Sequence, residues 1–133
     1  MDVLSLMILL HIIDDFVLQP ISLSKLKQKD WWIEECKKLK IDYSKYETDY
    51  ITALLIHSLS WSIMIHLPIM FIYGINNLFV FLSILVNSII HMIIDDLKAN
   101  KKKINLDIDQ SIHLLQIIIT FIIFLCYDYY YNT

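Results

Sequence analysis

Arginine is absent from the 133 residues, and glycine occurs once, proline twice and cysteine twice. The missing arginine removes the residue best suited to bidentate phosphate and guanine contacts, and a net charge of -3 adds no pull toward polyanions, so no nucleic-acid partner is expected. One glycine and two prolines exclude a loop-rich or collagen-like chain. Cys36 and Cys126 are too far apart to make a CxxC unit, which excludes a zinc knuckle and a disulfide framework. Charge is scarce as well. At 19% charged, 57% hydrophobic and a mean hydropathy of +0.56, the chain is too apolar for a cytosolic monomer of one small domain. No positive region precedes the first apolar run, and Asp14 and Asp15 stand where a cleavable leader carries small residues, so the N-terminus reads as mature protein.

What is present is four apolar stretches, about residues 3–19, 51–73, 75–97 and 108–127, each approaching the ~20 residues that cross ~30 Å of hydrocarbon as a helix. They predict an all-α protein: a single membrane domain over 1–133, folded as a four-helix transmembrane bundle with up-and-down order. A turn around Gly74 to Asn77 makes the second and third helices antiparallel. All 11 lysines fall in or beside two connections, seven over 20–50 and four from Lys98 to Lys103. Lysines collect on cytoplasmic loops, which predicts both connections inside, the two termini outside, and an integral inner (cytoplasmic) membrane location. Between the first two helices, Leu26, Ile33, Cys36 and Leu39 recur near helical spacing among lysines, with Trp31 and Trp32 between them. That pattern predicts an amphipathic interfacial segment, with a solvated loop anchored by tryptophan as the alternative.

Ionisable residues inside membrane segments cost about 2.5 to 3.5 kcal/mol each at mid-helix and are functional candidates by default. Here they form a pattern. His11 and Asp15, His91 and Asp95, and Asp109 and His113 are each four apart, so each pair presents an imidazole and a carboxylate on one helix face. With 11 Asp and five His in the chain, about 0.8 such pairs are expected by chance, against three seen. Their level matters more: under the predicted topology these pairs, and His57 near the start of the second helix, all lie at the cytoplasmic ends. Such a set can hold one or two divalent ions. Mixed nitrogen and carboxylate donors without thiolate suit Zn, Mn or Fe. Metal ligands are then His11, Asp15, His91, Asp95, Asp109 and His113; His57 is a ligand or a catalytic base, and Lys98 holds an anionic group. Gln19 and Gln110 orient the ligands, and Asp14 and Asp96 are assigned supporting or solvent-facing places. A hydrogen-bonded cluster that only joins the helices is the structural alternative. His66 lies nine residues beyond His57, about 13 Å deeper at 1.5 Å per residue, and reads as a packing residue near Pro68.

These residues resemble the signature of the domain of unknown function 3307 family of small bacterial and phage membrane proteins. The matching positions are His11, Asp15, Phe16, Leu18 and Gln19, then His57, then His91, Asp95 and Lys98, then Asp109, Gln110 and His113. The chain departs from that pattern after Gln19, where Pro20, Ile21 and Ser22 stand in place of a nearby tryptophan. The resemblance implies a four-helix membrane protein. A more distant similarity, to membrane-bound metal-dependent hydrolases, is an analogy for the chemistry. Together these point to a metal-dependent hydrolase acting at the cytoplasmic interface on a lipid-linked phosphate or ester. The alternatives are a non-catalytic metal-binding membrane protein of phage type and a metal or proton transporter. The partners expected are the lipid bilayer, a lipid-linked substrate and a second copy of the chain.

Overall fold

The computed structural model describes residues 2–74 and 77–132. The Asp2 carboxylate accepts a hydrogen bond from the Ser5 amide at 2.8 Å and starts α1 (Val3–Ile12), which continues as a π-helical turn over Ile13–Leu18. The wider turn is closed by the Gln19 amide donating to the Asp14 carbonyl at 3.0 Å, and π turns of this kind concentrate at functional sites. Next come α2 (Ile21–Leu26), α3 (Lys29–Leu39) and a 3₁₀ turn (Tyr43–Tyr46). The long helices are α4 (Asp49–Tyr73), α5 (Leu78–Ala99) and α6 (Leu106–Asn132). Gly74, at φ 80, ends α4 in a conformation open to few other residues, and the Asn77 side chain caps α5 by accepting from the Phe79 amide. The expected start of that helix at Ile75, and Asn76 in the turn, lie outside the described residues.

The all-helical expectation holds, and α4, α5 and α6 are each long and apolar enough to cross a membrane. The first stretch is not one of these candidate spans among the described residues. Its ten α-helical and six π-helical residues rise at most about 24 Å, short of the ~30 Å hydrocarbon layer, because Pro20 and the extended backbone at Gln19 end it. The other boundaries move by a few residues, from 51 to 49 for α4 and from 108–127 to 106–132 for α6.

α1 packs against α4 and α6, and α5 packs against the same two helices, so the four surround one interior. Toward the end bearing Gly74, Met7, Trp61, Ile65, Ile69, Val80, Ile117 and Phe124 form a continuous apolar core, beside which His66, Asn87, Gln116 and Thr120 are buried with hydrogen-bond partners. Toward the end bearing the lysines the interior is polar, with His11, Asp14, His57, His91, Asp95, Asp109 and His113 all buried. Outward faces carry the reverse chemistry, for example Phe81, Leu85, Val86 and Ile89 on α5 and Leu115, Ile119 and Ile122 on α6, all exposed. A polar interior inside an apolar exterior is what a lipid solvent selects.

The amphipathic segment is not one helix. It breaks at Gln28, where the backbone is extended (φ -102, ψ 119), and the break is held from both sides. The Asn100 side chain donates to the Lys27 carbonyl at 3.1 Å and accepts from the Lys29 amide at 2.7 Å, while the Trp32 indole donates to the Leu26 carbonyl at 3.0 Å. Of the expected apolar face Cys36 is buried, but Leu39 is 61% exposed because Lys40, in the left-handed region, turns the chain away at that point. Both cysteines are free.

Candidate metal centre

His11 and Asp15 lie on α1 and its π turn, His57 on α4, His91 and Asp95 on α5, and Asp109 and His113 on α6. One-turn spacing aims each pair inward, and the helix packing brings the pairs together. Asp95 is the hub. Its Oδ2 lies 3.5 Å from His57 Nε2, and its Oδ1 lies 3.5 Å from His113 Nε2 and 3.8 Å from His91 Nε2. Around it, His57 Nε2 is 3.2 Å from His91 Nε2 and 3.5 Å from Asp15 Oδ1, and His113 Nε2 is 3.3 Å from Asp109 Oδ1.

These separations are a test of whether an ion fits. Two donors each about 2.0–2.1 Å from a tetrahedral zinc lie about 3.3–3.4 Å from one another. The observed edges of 3.2 to 3.8 Å lie close to that spacing. His113 Nε2, Asp109 Oδ1 and Asp15 Oδ1 are buried and accept or donate no hydrogen bond of good geometry, although each faces another donor atom closely. A cation shared by these facing donor atoms would offset the cost of burying them. Two overlapping groups have donors close enough for one ion, Asp15–His57–His91 and His91–Asp95–His113. Both can thus hold a metal.

Several residues have places that the spacing did not reveal. The Trp61 indole donates to His11 Nδ1 at 2.8 Å and stacks over His91 at 4.2 Å. With its Nδ1 lone pair taken, neutral His11 carries its proton on Nε2 and has no free lone pair for an ion. His11 belongs to neither donor group. Asp14 is buried rather than solvent-facing: its Oδ1 accepts from Ser60 at 2.9 Å, and its Oδ2 lies 4.0 Å from His57 Nδ1. Its place three residues after His11 was the available signal, since i+3 shares a face with i+4. Lys27, expected in a solvated connection, reaches inward and donates to Asp95 Oδ2 at 2.7 Å with both side chains almost buried. No local pattern pointed to it.

Lys98 donates to Asp109 Oδ2 at 2.6 Å. Gln110 donates to Asp15 Oδ2 at 3.2 Å and to Asp109 Oδ2 at 3.1 Å, bridging α1 and α6 as an orienting residue. Gln19 lines the adjoining cavity. Asp96 takes Lys101 at 2.9 Å at the surface. His66 is buried away from the cluster, with Nδ1 2.7 Å from the Ser62 carbonyl and Nε2 2.7 Å from Ser83 Oγ, so its packing role is met.

A cavity of about 390 Å³ reaches the cluster from the lysine-bearing end. Half-buried Asp15 and buried His57 and Asp95 stand at its deep side, Lys27 and Lys98 beside them, and exposed Phe16 and Leu106 at its mouth. This arrangement offers ion donors, a cavity-lining histidine and ammonium groups at one place. No family model, curated protein or solved structure matches the chain.

Proposed function

We propose that the protein is a metal-dependent integral-membrane hydrolase that works at the cytoplasmic interface on a lipid-linked phosphate or ester. The observation that carries this reading is the set of donor separations around Asp95 at the deep side of a cavity. His91, Asp95 and His113 are the ion ligands, with Asp109 next to His113, and zinc, manganese or iron suits them. A divalent ion there supplies Lewis acidity toward a phosphoryl or acyl oxygen and makes water a better nucleophile. His57 faces the cavity and accepts the proton of an attacking water at Nε2, and the Asp14 carboxylate, 4.0 Å from its Nδ1, favours the imidazolium so formed. Lys98 steadies an anionic oxygen, and Gln110 keeps Asp15 and Asp109 in place. The same reading takes residues 3–18 as a fourth helix of the membrane bundle, shorter than the other three and packed against α4 and α6 without spanning the whole layer, places the lysine-rich end in the cytoplasm of a bacterial cell and assigns the chain to the domain of unknown function 3307 family on the motifs quoted above.

One observation favours a second reading. Asp95 and Asp109 are each already paired with a lysine, Lys27 and Lys98, which is how a metal-free cluster that only joins the helices would be neutralised. Elemental analysis of detergent-purified protein separates the two. The hydrolase reading expects about one divalent ion per chain in wild type and in His66→Ala, and its loss in His91→Ala and His113→Ala. Wild-type protein that stays free of metal after incubation with zinc, manganese or ferrous iron sinks it and leaves the structural cluster.

A further inference from the structure

The cavity holds more positive donor capacity than its ion pairs consume. An ammonium group has three N–H donors. Lys27 spends one on Asp95 and Lys98 one on Asp109, and both side chains line the cavity. Lys27 does not reach the site by chance flexibility: its carbonyl accepts from the Asn100 side chain, and the Lys29 amide two residues on donates to the same side chain, which fastens this stretch to the end of α5. The amide side chains of Gln19, Gln28 and Gln110 line the same space. An anion with several oxygens, entering between the lysines and the His57 face, would take up the remaining donor capacity of both ammonium groups.

The mouth has the opposite chemistry. Phe16 is 59% exposed and Leu106 is 51% exposed, and both line the cavity. They continue into the outward apolar surfaces of the first and last membrane stretches, where Val17 and Leu18 on one side and Ile108 on the other are also exposed. A hydrocarbon chain attached to the anion could leave the cavity over Phe16 and Leu106 directly into lipid, without crossing the aqueous phase. At about 390 Å³ the space is at the small end for ligand sites, about 300–1,000 Å³, which suits a compact head and excludes a large one.

We infer that this cavity binds the phosphate head of a lipid, with Lys27 and Lys98 on the phosphate oxygens and the chain leaving over Phe16 and Leu106. The inference rests on reading the cavity as the substrate site of the metal centre, and it selects a phosphate over a carboxylic ester. It also selects a small head, a bare phosphate or one bearing a short polar group.

Binding of octyl phosphate and of inorganic phosphate to the full chain in a neutral glycoside detergent, followed by phosphorus NMR titration, tests it. Octyl phosphate is expected to bind saturably at one site per chain, about tenfold or more tighter than inorganic phosphate. Lys98→Gln and Lys27→Gln should each weaken it about tenfold or more, the loss of a charge-assisted hydrogen bond, and Lys98→Arg should restore most of it. Leu106→Asn should bring octyl phosphate toward the affinity of inorganic phosphate. If Lys27→Gln unfolds because Asp95 is left unpaired, Lys98→Gln alone decides, since Lys98 is partly exposed. Equal affinity for the two phosphates overturns the lipid assignment. No saturable binding, or unchanged binding in folded Lys98→Gln, overturns the site. Metal content measured on the same samples keeps the two readings apart. Lysine-dependent binding by metal-free protein removes the hydrolase reading alone, and metal-bearing protein that ignores octyl phosphate removes this inference alone.

Discussion

Replacing Lys27 by Met tests the metal centre without assaying catalysis. In the absence of a metal, Asp95 Oδ2 is compensated by the Lys27 ammonium at 2.7 Å, with the side chains only 10% and 6% exposed. Removing one partner of such a pair leaves a buried charge and costs about 3–5 kcal/mol. Met fills the volume of the lysine stem, so little of that cost comes from a cavity. With a divalent ion on Asp95, the carboxylate keeps a positive neighbour whether or not Lys27 is charged, and the same substitution should cost about 1 kcal/mol, the value of one ordinary hydrogen bond. The two losses differ by about 2–4 kcal/mol, which is the coupling between ion and lysine. For a chain of 133 residues each kcal/mol moves Tm by about 3–5 °C, so Lys27→Met should lower it by about 10–20 °C in EDTA and by only about 5 °C in saturating zinc. Thermal unfolding in detergent, followed by circular dichroism for both proteins in both conditions, measures all four corners. Equal losses with and without zinc would refute the placement of the ion on Asp95.

Two further outcomes follow from the same geometry. Trp61→Phe removes the indole donor from His11 while keeping a ring over His91, so it should cost about 1–2 kcal/mol of stability, and neither it nor His11→Ala should change the bound metal per chain; loss of the ion in His11→Ala would restore His11 to the ligand set. In spheroplasts, single cysteines at Lys103 and at Tyr131, introduced after Cys36 and Cys126 are replaced by Ser, should react with an impermeant maleimide from opposite sides, Tyr131→Cys outside and Lys103→Cys only after lysis. Labelling of both from one side would overturn the topology.

The helical class, three of the spans and the inward pairing of His with Asp were legible because each depends on local periodicity. A residue and its neighbour one turn away share a face in any helix, so His91 with Asp95 and Asp109 with His113 needed no knowledge of the fold. The length of the first helix was less legible, since its apolar run continues past the point where Gln19 and Pro20 end the helix. The split of the interfacial segment was not legible at all, because what holds the break at Gln28 is Asn100, a residue 73 positions from Lys27 in sequence.

Composition and helical period, which need no reference to other segments, set the apolar length of the three candidate spans, where the lysines gather and which residue types could meet. How the helices are rotated against one another is a property of the packed molecule, and that rotation chose the atoms. It made Asp95 the meeting point of three histidines, turned Asp14 inward behind His57, gave the lone pair of His11 to Trp61, and brought Lys27 across 68 residues of sequence onto Asp95. The physical reason is that a helical period sets the angle of a residue about its own axis, whereas contact between two helices depends on packing that no single period encodes.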